Sequence, residues 1–180
     1  MSDYTRAYVA GGTYFFTVVT QLRRPVFLHD PIVDLLETCF RYVAAKRPFK
    51  VDAMVVLPDH LHCIWTLPAG DSDFSTRWRL AKRDFSYHYP DNHEPPASES
   101  RLRRREKGLW QRRFWEHAIR NEEDLARHRD YIHYNPVKHR LVESPSQWKH
   151  STFNRFVEKG LYDPDWGANV EKALEDMDLE

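Results

Sequence analysis

The chain has 180 residues, 41% of them apolar, enough for one sizeable core and too few for two independent ones. Twenty-seven Lys and Arg offset 27 Asp and Glu, which excludes both an acidic solubiliser and a uniformly basic nucleic-acid coat. Residues 77–140 nevertheless hold 16 basic against 10 acidic side chains, and residues 158–180 hold 2 against 8, so a basic middle precedes an acidic tail.

No apolar run approaches the roughly 18 residues of a membrane span, and MSDYTRAYVAGG lacks a signal peptide's charged and apolar blocks, so a cytoplasmic protein is expected. Cys39 and Cys63 form no paired-spacing motif and read as core residues.

Thr13 to Thr20, β-branched and aromatic after Gly11-Gly12, predicts a first strand. Asp30 as a cap and Pro31 at the first helical position open a helix to Lys46, with Ile32, Leu35, Leu36, Cys39, Phe40 and Val43 on its apolar face. Val51–Leu57 and Leu61–Leu67, separated by Pro58-Asp59-His60, predict an antiparallel pair. Ser72 to Tyr87 predicts an amphipathic helix through Phe74, Trp78, Ala81 and Phe85. Asp91 to Gly108 is too polar to bury anything and reads as a loop, and Phe114 to Ile119 supplies a fourth strand. Asn121 caps a last helix with Glu122, Glu123 and Asp124 in its first turn and a stop near Asn135-Pro136.

This order is that of an α+β, ferredoxin-like (RRM-like) antiparallel sheet, expected to pack its helices on one face and leave the other for a ligand. Residues 1–140 read as one folded domain, with 91–108 as a flexible insertion. Residues 141–180 read as a C-terminal tail wrapping the domain through Trp148, Phe153, Tyr162 and Trp166.

In His60-Leu61-His62 the strand alternation sends both histidines to one face and Leu61, Cys63 and Trp65 to the core. Two imidazoles two residues apart can meet one ion at about 2.1 Å each. Tyr131 and Asn135, one helical turn apart, share a face. Alone, the histidines could be solvated strand-end residues and Tyr131 an amphipathic anchor; together the four form a more specific set.

The arrangement resembles the HUH single-tyrosine nucleases. The segments GGTYFFTV, VVLPDHLHCIWTLP, DFSTRWR, FWEHAIRN, DYIHYNPVKH and GLYDPDW are similar to the REP-associated tyrosine transposases over most of the chain. That resemblance implies Tyr131 as nucleophile, with His60, His62 and Asn135 as ligands of magnesium or manganese. It also implies cleavage and rejoining of single-stranded DNA beside a palindromic hairpin through a 5′-phosphotyrosine linkage. Two departures stand out. The Asp91–Gly108 connection is longer than in the family, and Arg140 occupies a position where the family tends to have glycine, which a left-handed helix exit favours. Candidate phosphate contacts are Lys82, Arg83, Arg112, Arg113, Lys138 and His139, with Tyr4 and Arg6 suggested by the resemblance; Trp78, Trp110 and Trp115 are candidates for base stacking. A monomer is expected, with a homodimer as the alternative, and the acidic tail is a candidate competitor for the DNA surface. Two other readings stay open: a non-catalytic single-strand binder that stacks bases on Phe15 and Phe16, and a metal-dependent nuclease whose nucleophile is water.

Overall fold

The computed structural model describes residues 8–90 and 108–168. Strands β1 (Thr13–Val19), β2 (Lys50–Val56), β3 (His60–Thr66) and β4 (Trp115–Ala118) form one antiparallel sheet in the order β2-β3-β1-β4. Helices α1 (Asp30–Lys46), α2 (Phe74–His88), α3 (Glu122–Lys138) and the short α4 (Phe153–Glu158) complete the described chain. The elements arise in the order and type that the residue pattern predicts, and the α+β class holds. Among the described residues, no helix is long and apolar enough to cross a membrane.

The placement of the last long helix corrects the expectation of helices on one face. On the first face, Tyr14, Phe16, Val18, Leu61, Cys63 and Trp65 pack under Leu36, Phe40, Phe74, Trp78 and Phe85 of α1 and α2. On the second, Phe15, Ala53, Val55 and Ile64 pack under Tyr131, Ile132 and Tyr134 of α3. Both Phe15 and Phe16 are completely buried, because β1 reads TYFFTVV, apolar on both sides, and a strand of that kind must be covered twice. The second face is therefore a covered floor rather than an open platform. That burial also removes the bases' stacking surface from the non-catalytic binder reading.

Smaller differences have local causes. Asp30 does not cap α1: His29 holds the cap position without a side-chain bond, and Asp30 pairs instead with Lys149 and His150. Asn121 does cap α3, accepting from the Asp124 N–H at 2.9 Å. That helix runs through Pro136 to Lys138, since a proline in the last turn deprives only the carbonyl four residues back of its bond. The helix then closes with Arg140 N–H donating to the Val137 carbonyl (2.8 Å) and Leu141 N–H to the Pro136 carbonyl (2.9 Å). Arg140 takes up the left-handed conformation, φ 56°, that glycine would adopt without strain.

Beyond α3 the chain crosses the open edge of β2. Val56 N–H donates to the His150 carbonyl and Thr152 N–H to the Met54 carbonyl, each at 2.9 Å. The Trp148 indole donates to the Val56 carbonyl at 2.9 Å. An edge covered this way offers no template for strand addition. Phe153, Tyr162 and Trp166 then cluster, with Trp166 meeting Tyr134 of α3. The acidic residues from 169 onward, the 91–107 part of the insertion, and Tyr4 and Arg6 lie outside the described residues.

Candidate active site

Both histidines of His60-Leu61-His62 stand on the second face of β3, as alternation requires. Their rings lie 4.9 Å apart between centroids at 82° to each other. Two imidazoles ligating one ion at about 2.1 Å through nitrogen, at an angle near 100°, have ring centres about 5 Å apart, so the observed spacing suits a shared ion.

Each ring is oriented through its Nδ1. His60 Nδ1 lies 2.5 Å from Asp59 Oδ1, and His62 Nδ1 lies 2.9 Å from Thr17 Oγ1. With Nδ1 engaged, Nε2 is the nitrogen through which either ring would ligate. Burial pushes the Asp59 carboxyl up, but its bonds to His60 and Arg23 outweigh that and hold it below the ordinary carboxylate range. Neither Thr17 nor Asp59 was legible as a site residue. Thr17 reaches His62 only because β1 and β3 pair in a register that sets the two opposite each other, and local spacing does not reveal register. Asp59 carries a faint signal, adjacent to His60 in the hairpin turn.

Helix α3 brings the remaining groups over the histidines. The Tyr131 ring lies 5.3 Å from that of His62, edge to face, and the His139 ring lies 5.1 Å from that of His60. Residues 131, 135 and 139 follow one another by single turns along one helix face. Asn135 therefore sits between two residues that touch the two histidines. It is fully buried, and among the described residues neither its Oδ1 nor its Nδ2 has a hydrogen-bond partner. Buried amides are normally satisfied, so an amide buried with neither polar atom bonded among the described residues, on the helix face that carries Tyr131, has the character of a metal ligand. Two nitrogens and one amide oxygen are a donor set that fits a divalent metal ion.

His60, His62 and Tyr131 are each at most 1% exposed. The solvent side of the cluster is formed by Lys138, half-buried, and His139, exposed. The Lys138 ammonium lies 4.8 Å from the centre of the Tyr131 ring. Of the predicted phosphate contacts, these two lie beside Tyr131 and His60.

The other cations behave differently. Lys82 donates to the Gln111 carbonyl at 3.1 Å and lies over the Trp110 and Phe114 rings, so it ties α2 to the segment leading into β4. Arg83, Arg112 and Arg113 are exposed. Trp78 stacks on Trp65 at 4.1 Å inside the core, and Trp110 is also buried; neither can stack a base. Trp115 is half-buried beside Phe15.

A second polar group, unanticipated from sequence, joins β4 to the start of α3. His117, Asp124 and His128 bring three ligand-type atoms within 4.8 Å of one another and could hold a cation. The carboxylate already accepts from His117 Nε2 at 2.8 Å and from the Arg120 N–H at 3.0 Å. The two rings stack 4.5 Å apart and nearly parallel, at 13°. Nearly parallel stacked rings do not aim their lone pairs at one point, and the contacts within the group are hydrogen bonds to Asp124, His128 Nδ1 lying 2.8 Å from its carbonyl oxygen. Burial above all, with the nearby His117 and Arg127, lowers the His128 pKa against the pull of its bond to the Asp124 carbonyl and of the Asp124 charge.

Residues 8–135 match the family described as "Transposase IS200 like". A REP-associated tyrosine transposase of Escherichia coli K12 is 46% identical over 170 residues, covering 94% of this chain and 93% of the relative. A second relative, from Haemophilus influenzae Rd, is 41% identical over 174 residues, 97% and 98% of the two chains. The solved structure of a REP-associated tyrosine transposase bound to a REP hairpin aligns with a TM-score of 0.76 at 47% identity, covering 92% of this chain and 91% of that one.

Proposed function

We propose, for a chain that belongs to the family of IS200-like transposases, that it cleaves and rejoins single-stranded DNA beside REP-like palindromic hairpins through Tyr131. The observation that carries this reading is the placement of the Tyr131 ring 5.3 Å from His62, between an imidazole pair and the Lys138 ammonium. A phenol has an ordinary pKa near 10, so attack on phosphorus at neutral pH needs orientation and charge stabilisation. Orientation comes from packing: Tyr131 is held edge-on by Phe15 and His62 on a helix capped at one end and closed at the other. Charge stabilisation comes in part from Lys138, whose ammonium faces the ring and favours negative charge on the phenol oxygen and the approaching phosphate.

His60, His62 and Asn135 would hold a magnesium or manganese ion, which when bound neutralises a nonbridging phosphate oxygen. In the reaction the Tyr131 oxygen bonds to phosphorus and loses its proton to solvent. The bond from phosphorus to the 3′ oxygen breaks, and that oxygen leaves as a hydroxyl after taking up a proton. The resulting 5′-phosphotyrosine conserves the broken bond's energy, so a second 3′ hydroxyl can reverse the step and join strands. The DNA approaches from the side of Lys138 and His139, and the hairpin beside the reacting strand supplies recognition; the relative of known structure is bound to a hairpin of that kind. We propose that the protein acts as a monomer in the cytoplasm.

Labelled palindromic oligonucleotide incubated with protein and manganese should give a protein-linked band on a denaturing gel. Tyr131→Phe should abolish it. A band of equal intensity in that variant would reject Tyr131, and cleavage without any adduct would identify water as the nucleophile.

A further inference from the structure

We infer that Asp59 and Thr17 are positioning residues that present the Nε2 atoms of His60 and His62 to the active-site ion, and that they make the two imidazoles unequal ligands. The inference rests on the metal-ligand reading above and adds residues that it does not contain.

A neutral imidazole carries one N–H and one lone pair, and the partner at one nitrogen decides which role the other plays. At His60 the partner is a carboxylate, which only accepts, so Nδ1 carries the proton and Nε2 the lone pair. That carboxylate is itself held in place. Arg23 Nη1 lies 3.3 Å from Asp59 Oδ2, and the Asp59 carbonyl accepts from the Thr20 N–H at 2.9 Å and the Thr20 hydroxyl at 2.8 Å. The turn is therefore rigid on three sides, and with it the ring of His60.

At His62 the partner is a hydroxyl, which can donate or accept. Thr17 is buried, at 4% exposure, and stands opposite His62 in the ladder. It fixes the ring's orientation and leaves the tautomer to be chosen when the ion arrives. An anionic partner raises the basicity of a ligating imidazole where a neutral one does not, so His60 is the stronger ligand and Asp59 the more sensitive position.

Partners of this kind typically contribute a factor of about 10–100 in metal affinity. Manganese titrations of the full-length protein, read by calorimetry and by the spin-resonance signal of free manganese, should show Asp59→Asn weakening binding by roughly 30-fold or more. Thr17→Val should weaken it by about 10-fold, and Thr17→Ser, which keeps the hydroxyl, should restore it. In cleavage assays the same variants should need more manganese for half-maximal rate yet approach the parent rate at saturation. Melting curves in EDTA check folding, and Thr17→Ser and Asp59→Asn keep the test decisive should Thr17→Val fold poorly. Asp59→Asn and Thr17→Val binding manganese as the parent does, while His60→Ala does not, would overturn the inference and spare the active-site assignment. Equal manganese binding by the parent, His60→Ala and His62→Ala would sink that assignment itself.

Discussion

Asn135 should limit the stability of this protein, and replacing it with leucine should make the fold stronger and the enzyme inactive. The amide is fully buried, with neither polar atom bonded among the described residues. Burying an amide without hydrogen bonds costs about 1–3 kcal/mol by the measure of protein variants. Leucine has a similar volume, carries no polar atom and is a better helix former by about 0.5 kcal/mol. Imperfect fit among the surrounding rings takes back up to about 1 kcal/mol, leaving a net gain of about 1–3 kcal/mol. For a chain of this length that raises the melting temperature by about 3–10 °C.

Melting of the parent and Asn135→Leu, followed by circular dichroism, should be compared in EDTA. Added manganese should then raise the melting point of the parent, by about 2.7 kcal/mol of stability at a hundred times its dissociation constant, and raise that of Asn135→Leu much less. Adduct formation should fall by about a hundredfold or more in the variant, since a ligand is gone. A variant that melts several degrees below the parent in EDTA would show that the amide is satisfied inside the fold and would remove the ground for its role as a ligand.

Acid should act through His133 before it acts through any carboxylate. Burial above all, with help from Arg129 and Arg155, pushes the His133 pKa down to about 3, and its Nε2 lies 2.9 Å from Thr152 Oγ1. The unfolded chain takes up that proton below about 6.5 and the folded one does not until far lower, so stability should fall by up to about 1.4 kcal/mol per pH unit from 6.5 downward. The depressed carboxyls of Asp59, Asp71 and Asp124 contribute stability that is complete above about pH 4 and disappears below it. Urea denaturation between pH 7 and 4.5 separates the two depressed histidines, His133 and His128, from the carboxyls, and His133→Phe should reduce the slope; an unchanged slope assigns it elsewhere. Arg140→Gly should stabilise the end of α3 by about 0.5–1 kcal/mol, because Arg140 holds φ at 56° and glycine removes that strain at some entropic cost in the unfolded chain. The same urea assay at pH 7 would contradict this if Arg140→Gly matched Arg140→Ala.

What the sequence made legible follows from the range over which each relation acts. His60 and His62 share a face because strands repeat every two residues, and Tyr131, Asn135 and His139 share one because helices repeat every 3.6. Both halves of the candidate site are therefore local facts, readable without a fold. The meeting of the halves is not local, and the side of the sheet taken by α3 could have been read only from one detail: Phe15 and Phe16 are adjacent and both apolar, which forbids an open face. Thr17 and Lys82 were obscured by a different limit. Composition marks Thr17 as a β former and Lys82 as a charge on a basic helix, whereas their partners, His62 and the Gln111 carbonyl, are fixed by strand register and loop path. A side chain's type predicted its role where the role lay within two turns of chain, and failed where the partner was 29 or 45 residues away. That division explains why the groups proposed to do the chemistry are legible in the sequence while those that orient them are not.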